Sequence, residues 1–262
     1  MHTTITGIIV VGGSLLLTLL GVALVRRLVS HRTLAGHNDV AGFVYATTGV
    51  TYAVILAFVV IAVWDQYDTT SEVADRESNA LAALYRLANG FPAPARMAAQ
   101  SALLDYAEAV IDEEWPAMTH QEAPSPRTSM ALTDLYRVYE QPDVVTAVNP
   151  AQYTESLRLL NEVSADRRGR ILASRTGLPT ILWAVLVGGG VLLIAFAFLF
   201  GVESPLSQAA IMGTLAVTVA MLLFVVSDVQ RPFQGGLQVT PEGLHLLLEQ
   251  FGPAGTTATP TP

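Results

Sequence analysis

Four carboxylates, Asp65, Asp68, Glu72 and Asp75, recur every three or four residues, directly after an uncharged segment that ends at Trp64. At about 100° per residue they fall within about 80° of one another on a helix. Two chemistries suit such a stripe. One is a solvated face of an amphipathic helix. The other needs several copies around an axis, where rings of acids concentrate cations and repel anions in a water-filled passage. Neither Gly nor Pro occurs between Val50 and Asn89, so one helix is expected to run from the apolar segment into the acids. Pairing of the acids with Arg76, Arg167 or Arg170 would remove most of the second chemistry. The side opposite the acids carries Val73, Leu81, Leu84 and Ala88, with Glu77 as an exception.

The apolar segment before the acids has a pattern of its own. Gly42, Ala46, Gly49, Ala53 and Ala57 fall within about 80° of one another, a small-residue stripe that lets helix backbones approach in lipid. Beside it, and partly overlapping, lie Ala46, Val50 and Val54, in a sector that overlaps that of the acids.

These stripes need a scaffold, and composition says which. Of the 262 residues, 52% are hydrophobic and only 14% charged, against about a quarter charged in soluble domains. The apolar residues gather in four uncharged runs: Ile5–Val25, Ala41–Trp64, Leu178–Phe200 and Leu206–Val226. Each is near the roughly 20 residues that cross a bilayer. Arg26 and Arg27 follow the first run, whereas a cleavable signal would carry its positive charge before it, so a retained span is expected. The third and fourth runs are joined by GVESP, which allows a tight hairpin.

Between the second and third runs lies a polar insert that reads as helical over Asp65–Asn89, Ala95–Trp115, Met130–Tyr139 and Ala151–Arg175. Its breakers are Pro92, Pro94, Pro116, Pro124, Pro126, Pro142 and Pro150. The expected division is 1–64 for the first two spans, 65–177 for the insert, 178–228 for the last two, 229–251 for a post-membrane segment and 252–262 for a disordered tail. Arg26, Arg27 and Arg32 flank one side of the membrane. Arg167, Arg168, Arg170, Arg175 and Arg231 flank the other, placing the insert and both termini in the cytoplasm.

Other chemistries find less support. The formal net charge of -8 argues against nucleic acid. With no Cys there is no disulfide, thiolate nucleophile or Cys-bound metal. His31, His37 and Asp39 lack the spacing of a metal shell; Asn38 as a helix cap with Asp39 near the positive helix end accounts for them. Arg167, Arg168 and Arg170 could meet lipid phosphates, or serve only to orient the chain. Asp112, Glu113 and Glu114 read as a solvated charge run. Gly188–Gly190 sit inside the third run, where they suit close packing or a kink. No nucleophile motif or phosphate loop is present, so no enzyme and no cofactor is expected.

Two short blocks then bring a family into view. VILAFVVIAVWDQYDT, with Trp64, Asp65, Gln66 and Tyr67, resembles the second membrane helix of the bestrophins. QRPFQG, with Arg231, Pro232 and Phe233, resembles the element after their last span, with Arg231 in place of an Asn. The stretches HNDVAGFVYATTGVTYAVILAF, RRGRILASRTGLPTILW and SDVQRPFQGG extend the likeness to the bacterial bestrophin-like family over most of the chain. The resemblance implies a pentameric ion channel of the bacterial inner membrane, its second helix lining the pore and continuing into a cytosolic vestibule. It places an apolar neck at Ala46, Val50 and Val54, less bulky than the family's. Calcium-activated bestrophins carry an acidic cluster after this last element; here GGLQVTPEGL holds only Glu242, too few carboxylates for a calcium clamp.

The chain is thus expected to be an all-α membrane protein with four transmembrane helices and a large helical cytosolic insert between spans two and three. Its expected partners are the lipid bilayer, inorganic ions and further copies of itself, and its expected activity is conduction, pointing to monovalent cations. The rival reading is a non-conducting scaffold or sensor whose insert binds a partner. That reading would bury the second-span stripe against the third or fourth span.

Overall fold

The structure of the chain, a computed structural model, describes residues 2–29 and 38–252. His31, Arg32, His37 and the tail from residue 253, together with the Asp39 side chain, lie outside the described residues. All regular structure among the described residues is helical. In chain order the α-helices are α1 His2–Leu28, α2 Asn38–Leu87, α3 Ala93–Ala109, α4 Trp115–Thr119, α5 Pro126–Tyr139, α6 Pro142–Ala147, α7 Pro150–Arg175, α8 Thr180–Ala197, α9 Pro205–Val229 and α10 Glu242–Phe251. Helices α1, α8, α9 and the first part of α2 are long and apolar enough to cross a membrane. Helix α2 runs for 50 residues, and from Val50 to its end at Leu87 it contains neither Gly nor Pro.

Three prolines that read as breakers, Pro126, Pro142 and Pro150, in fact start helices, as does Pro205 of the hairpin. Each occupies the first turn, where the missing N–H costs nothing. Three of the four are preceded by a capping side chain. Ser125 Oγ accepts from Thr128 N, Asn149 Oδ1 from Ala151 N and Ser204 Oγ from Ser207 N. Pro116 acts differently. Its ring cannot donate to, and clashes with, the carbonyl four residues back, that of Asp112. The chain between α3 and α4 widens there into a π turn, Val110–Glu114.

The chain divides into two compact units, Met1–Gln66 with Gly177–Leu237, and Tyr67–Thr176 with Gln238–Pro262. In the first, α1 packs along α9 at small residues. A Cβ on Gly7 would touch Phe224, and one on Gly213 would touch Leu15. Val22, Ala197 and Met212 form a core with Tyr45, Phe198 and Leu215 around it. The close approach of α2 to α8 requires glycine: a Cβ at Gly189 would lie 2.7 Å from Tyr52 Cδ2. The Tyr52 hydroxyl donates to Leu186 O at 3.1 Å. Asn38 does not act as a local cap. Its amide donates to Gly201 O and accepts from Gly201 N, both at 3.1 Å, which ties the start of α2 to the α8–α9 hairpin.

The second unit has a core of Leu81, Leu84, Leu103, Tyr106, Leu135, Leu160 and Val163, all buried. From Gln238 on, the segment after the last span belongs to this unit. Trp115 Nε1 donates to Val239 O, and Phe251 stacks on Tyr85 with centroids 4.3 Å apart. The Arg86 guanidinium lies over the same Phe251 ring.

Candidate functional site

Within the first unit, α2 has two opposed faces. Tyr52, Leu56, Val59 and Val63, at i, i+4, i+7 and i+11, are buried. The other side holds Ala46, Val50 and Val54, all exposed, with Val50 66% and Val54 49% accessible. The small-residue stripe splits between the two: Gly42 and Gly49 approach Phe200 and Leu193, while Ala46, Ala53 and Ala57 are exposed. The face that α2 buries is the one bearing Tyr52, not the one bearing Val50. Thr47 and Thr51 flank the exposed stripe, their hydroxyls donating back to Phe43 O and Thr47 O. Trp64 at the end of this segment is half exposed and Gln66 half buried.

The candidate acids are all exposed: Asp65 at the end of the first unit, and Asp68, Glu72 and Asp75 in the second, where Tyr67 is half buried. Among the described residues only Glu72 of these four has an ion pair, a loose one of 3.9 Å to Arg76 on the next turn. Arg76 also donates to Asp166 at 3.3 Å. Burial, more than the pull of Arg76, sets the Asp166 carboxyl above its ordinary range, and its Oδ2 is buried without a hydrogen-bond partner.

Arg167 and Arg170 do not meet the exposed acids, and lipid phosphates have no access to them. Arg170 is 0% exposed and bridges two acids that are equally buried. Its Nε donates to Glu77 Oε2 at 2.7 Å and its Nη2 to Glu114 Oε2 at 3.1 Å. Arg167 Nε donates to Glu114 Oε2 at 3.0 Å, and its Nη2 to Ser129 Oγ. The Tyr106 hydroxyl donates to Glu77 Oε1 at 2.6 Å, and the Arg170 guanidinium lies 5.0 Å above the Trp115 ring. Two cations and two anions cancel, as a buried cluster requires. Burial and then the Glu77 carboxylate push the Tyr106 phenol well above its usual range. Burial alone would lower Arg170, but Glu77 outweighs it and holds the guanidinium above its ordinary value.

This cluster departs from the pattern expected of the sequence, in which Glu77 is an exception on an apolar face and Glu114 one of three solvated acids. The π turn separates them: Asp112 and Glu113 stay exposed, while Glu114 turns inward. The available signal was Pro116, placed so as to disturb the helix beside the acid run.

The block after the fourth span also has a structural reading. Gln230 Oε1 accepts from Trp183 Nε1 at 3.0 Å and from Leu178 N at 3.3 Å, pinning the start of α8. Pro232 and Phe233 are buried and Arg231 is exposed. Asp228 accepts from Gly236 N and Leu237 N at 3.0 and 3.2 Å. Gly235 has φ +90, and a Cβ there would strike Asp228 Oδ1, so this turn needs glycine. Among the described residues no three His, Cys, Asp or Glu side chains gather as metal ligands.

Four apolar helices of spanning length, a long second helix with one face left open and a helical insert define a class: an all-α, four-span membrane protein. Residues 12–244 match the bestrophin-like domain, and the chain belongs to that family. Solved structures agree in fold. A bestrophin homologue from Klebsiella pneumoniae carrying one substitution superposes with a TM-score of 0.72 at 13% identity, covering 92% of this chain and 98% of that one. A second structure of a Klebsiella pneumoniae homologue gives 0.70 at 15%, covering 90% and 95%. A crystal structure described as that of a membrane protein gives 0.71 at 14%, covering 93% and 99%. A search of the curated proteins finds no match.

Proposed function

We propose that this chain assembles as an ion channel whose pore is lined by the exposed face of α2. The observation that carries this reading is that face itself. Ala46, Val50 and Val54 are left open while the opposite stripe, from Tyr52 to Val63, makes the packing contacts. A scaffold that used the Val50 stripe to hold its own bundle would have buried it. Membership of the bestrophin-like family supports the same assignment, and the family supplies the pentamer. Ala46, Val50 and Val54 form the neck, an apolar ring that gates by dewetting. Asp65, Asp68, Glu72 and Asp75 line the vestibule and favour monovalent cations, because their charges are exposed and, among the described residues, only Glu72 of the four has an ion pair. Trp64, Gln66, Tyr67, Arg231, Pro232 and Phe233 are the family motif that sets the ends of the spans. The element after the last span forms no calcium clamp, because GGLQVTPEGL offers only the Glu242 carboxylate. The insert and both termini face the cytoplasm of a bacterial inner membrane.

Reversal potential in planar bilayers under a KCl gradient tests this. The expected result is a cation-side reversal that moves towards zero when Asp65, Asp68, Glu72 and Asp75 are changed to Asn or Gln. An anion-side reversal would keep the channel and reject the role of the acids. Silence from a well-folded oligomer would favour the scaffold.

A further inference from the structure

The open face of α2 is not wholly apolar. Between Phe43 and Ile61 its exposed side chains are Phe, Val, Ala and Ile, with two exceptions, Thr47 and Thr51. At about 100° per residue, Thr47 lies about 150° from the middle of the buried Tyr52–Val63 stripe, as far round as Val50. Thr51 lies about 110° from it, as far round as Ala46. The two threonines therefore share the open face with the neck residues, on its other flank. Thr48, between them in sequence, is half-buried. Thr47 and Thr51 also border an open recess of about 260 Å³ beside Val185, Gly189 and Leu192 of α8, so this chain leaves space in front of them.

The hydrogen bonds of these hydroxyls set their polarity. Thr47 donates to Phe43 O and Thr51 to Thr47 O, each at 3.0 Å. A hydroxyl has one proton and two lone pairs. With the proton committed to a carbonyl one turn back, the oxygen is left as an acceptor. Such oxygens suit a cation, whose ligands are oxygen lone pairs, and not chloride, which needs a donor. The carboxylates are too far away to act at this level. Asp65 follows Thr51 by 14 residues of one continuous helix, about 21 Å, against a screening length of about 8 Å at physiological salt.

We propose that Thr47 and Thr51 are specificity-determining residues of the pore, their hydroxyl oxygens, repeated around the axis, replacing part of the hydration shell of a monovalent cation at the neck. The inference rests on the reading of α2 as the pore helix. It divides the work of selection. The vestibule acids gather cations at the mouth, and the hydroxyls discriminate where the ion is confined between apolar rings. The two sources differ in their response to salt. A carboxylate acting through water is screened beyond about 3 Å in about 1 M salt, whereas an oxygen that touches the ion is not.

Reversal potentials of the full-length protein in planar bilayers, under a gradient of about 1 M against about 3 M KCl, test this with the acids screened. The wild type is expected to remain cation-selective. Thr47→Val with Thr51→Val keeps the shape and removes the oxygens, and should lower the potassium-to-chloride permeability ratio about ten-fold, the scale of one lost polar contact to a charge. Thr47→Ser with Thr51→Ser restores the oxygens and should recover the ratio. A ratio undiminished in the valine pair, or a wild type without selectivity at this salt, would overturn the inference and leave the pore in place. If the valine rings close the pore by dewetting, Thr47→Ala with Thr51→Ala carries the same comparison. Thiol modification separates the two readings, since the chain has no native Cys. A small cationic thiol reagent should block current through Val50→Cys and Thr47→Cys alike. Block at Val50→Cys alone would remove Thr47 from the ion path and keep the pore; block at neither, or a wild type that does not conduct, would remove the pore and this inference with it.

Discussion

Two residues in the insert show how far a single charge depends on its surroundings. Arg170 is buried between Glu77 and Glu114, so removing it leaves Glu114 with Arg167 but strips the buried Glu77 carboxylate of its cation. Arg170→Ala should cost about 3–5 kcal/mol, the range for breaking a buried pair, and lower the thermal midpoint of the purified protein markedly. Asp166 behaves in the opposite sense. Its folded-state pKa is raised above 3.8, so the protonated form is favoured by the fold. Its contribution is present below the unfolded value and is lost as pH rises through the folded one. Asp166→Asn should therefore raise the thermal midpoint at neutral pH, with the gain vanishing below about pH 4. A midpoint that falls at neutral pH would mean that the Arg76 contact outweighs burial. Of these residues the sequence disclosed only the types. Which Arg meets which acid depended on the turn at Val110–Glu114.

At the scale of elements, the contact of α2 with α8 decides which face of α2 is left open. Gly189 permits Tyr52 to approach and donate to Leu186 O. A Gly189→Val substitution forces a side chain into the Tyr52 ring and should destabilise the protein by about 1–3 kcal/mol, the usual cost of overpacking. Tyr52→Phe removes only the hydrogen bond and should cost about 0.5–1.5 kcal/mol. Thermal unfolding in detergent, monitored by loss of the oligomer peak, would rank the two. The spans and most insert helices were legible from composition and periodicity. The helix starts were partly misread, because a proline ends one helix and begins the next by the same chemistry. The docking of α10 on the second unit had no local signal: it rests on Trp115 and Tyr85, distant in sequence from Val239 and Phe251.

For the molecule as a whole, the proposed pore makes a size-dependent prediction at its neck. Val50→Trp should sharply reduce single-channel conductance, whereas Val50→Ser should raise it by wetting the ring. A conductance indifferent to both would move the pore away from α2. Of the arginines that flank the spans, Arg167 and Arg170 are buried in ion pairs and Arg26 is held by hairpin carbonyls. Orientation can be measured directly because the chain has no native Cys. Glu203→Cys should react with an impermeant maleimide in intact cells, and Glu122→Cys only after lysis. The reverse pattern would invert the protein.

By itself the sequence determined the four spans, the long second helix and the helical insert, and it carried the two blocks that mark the family. These follow from the composition and periodicity of contiguous residues, which local geometry turns into elements. Tertiary structure alone decided that the Tyr52 face of α2 is buried and the Val50 face left open. It alone decided that Glu77 and Glu114 share Arg170. Each of these joins residues far apart in the chain, or turns on one added residue in a helical turn, and a helical wheel contains neither kind of information.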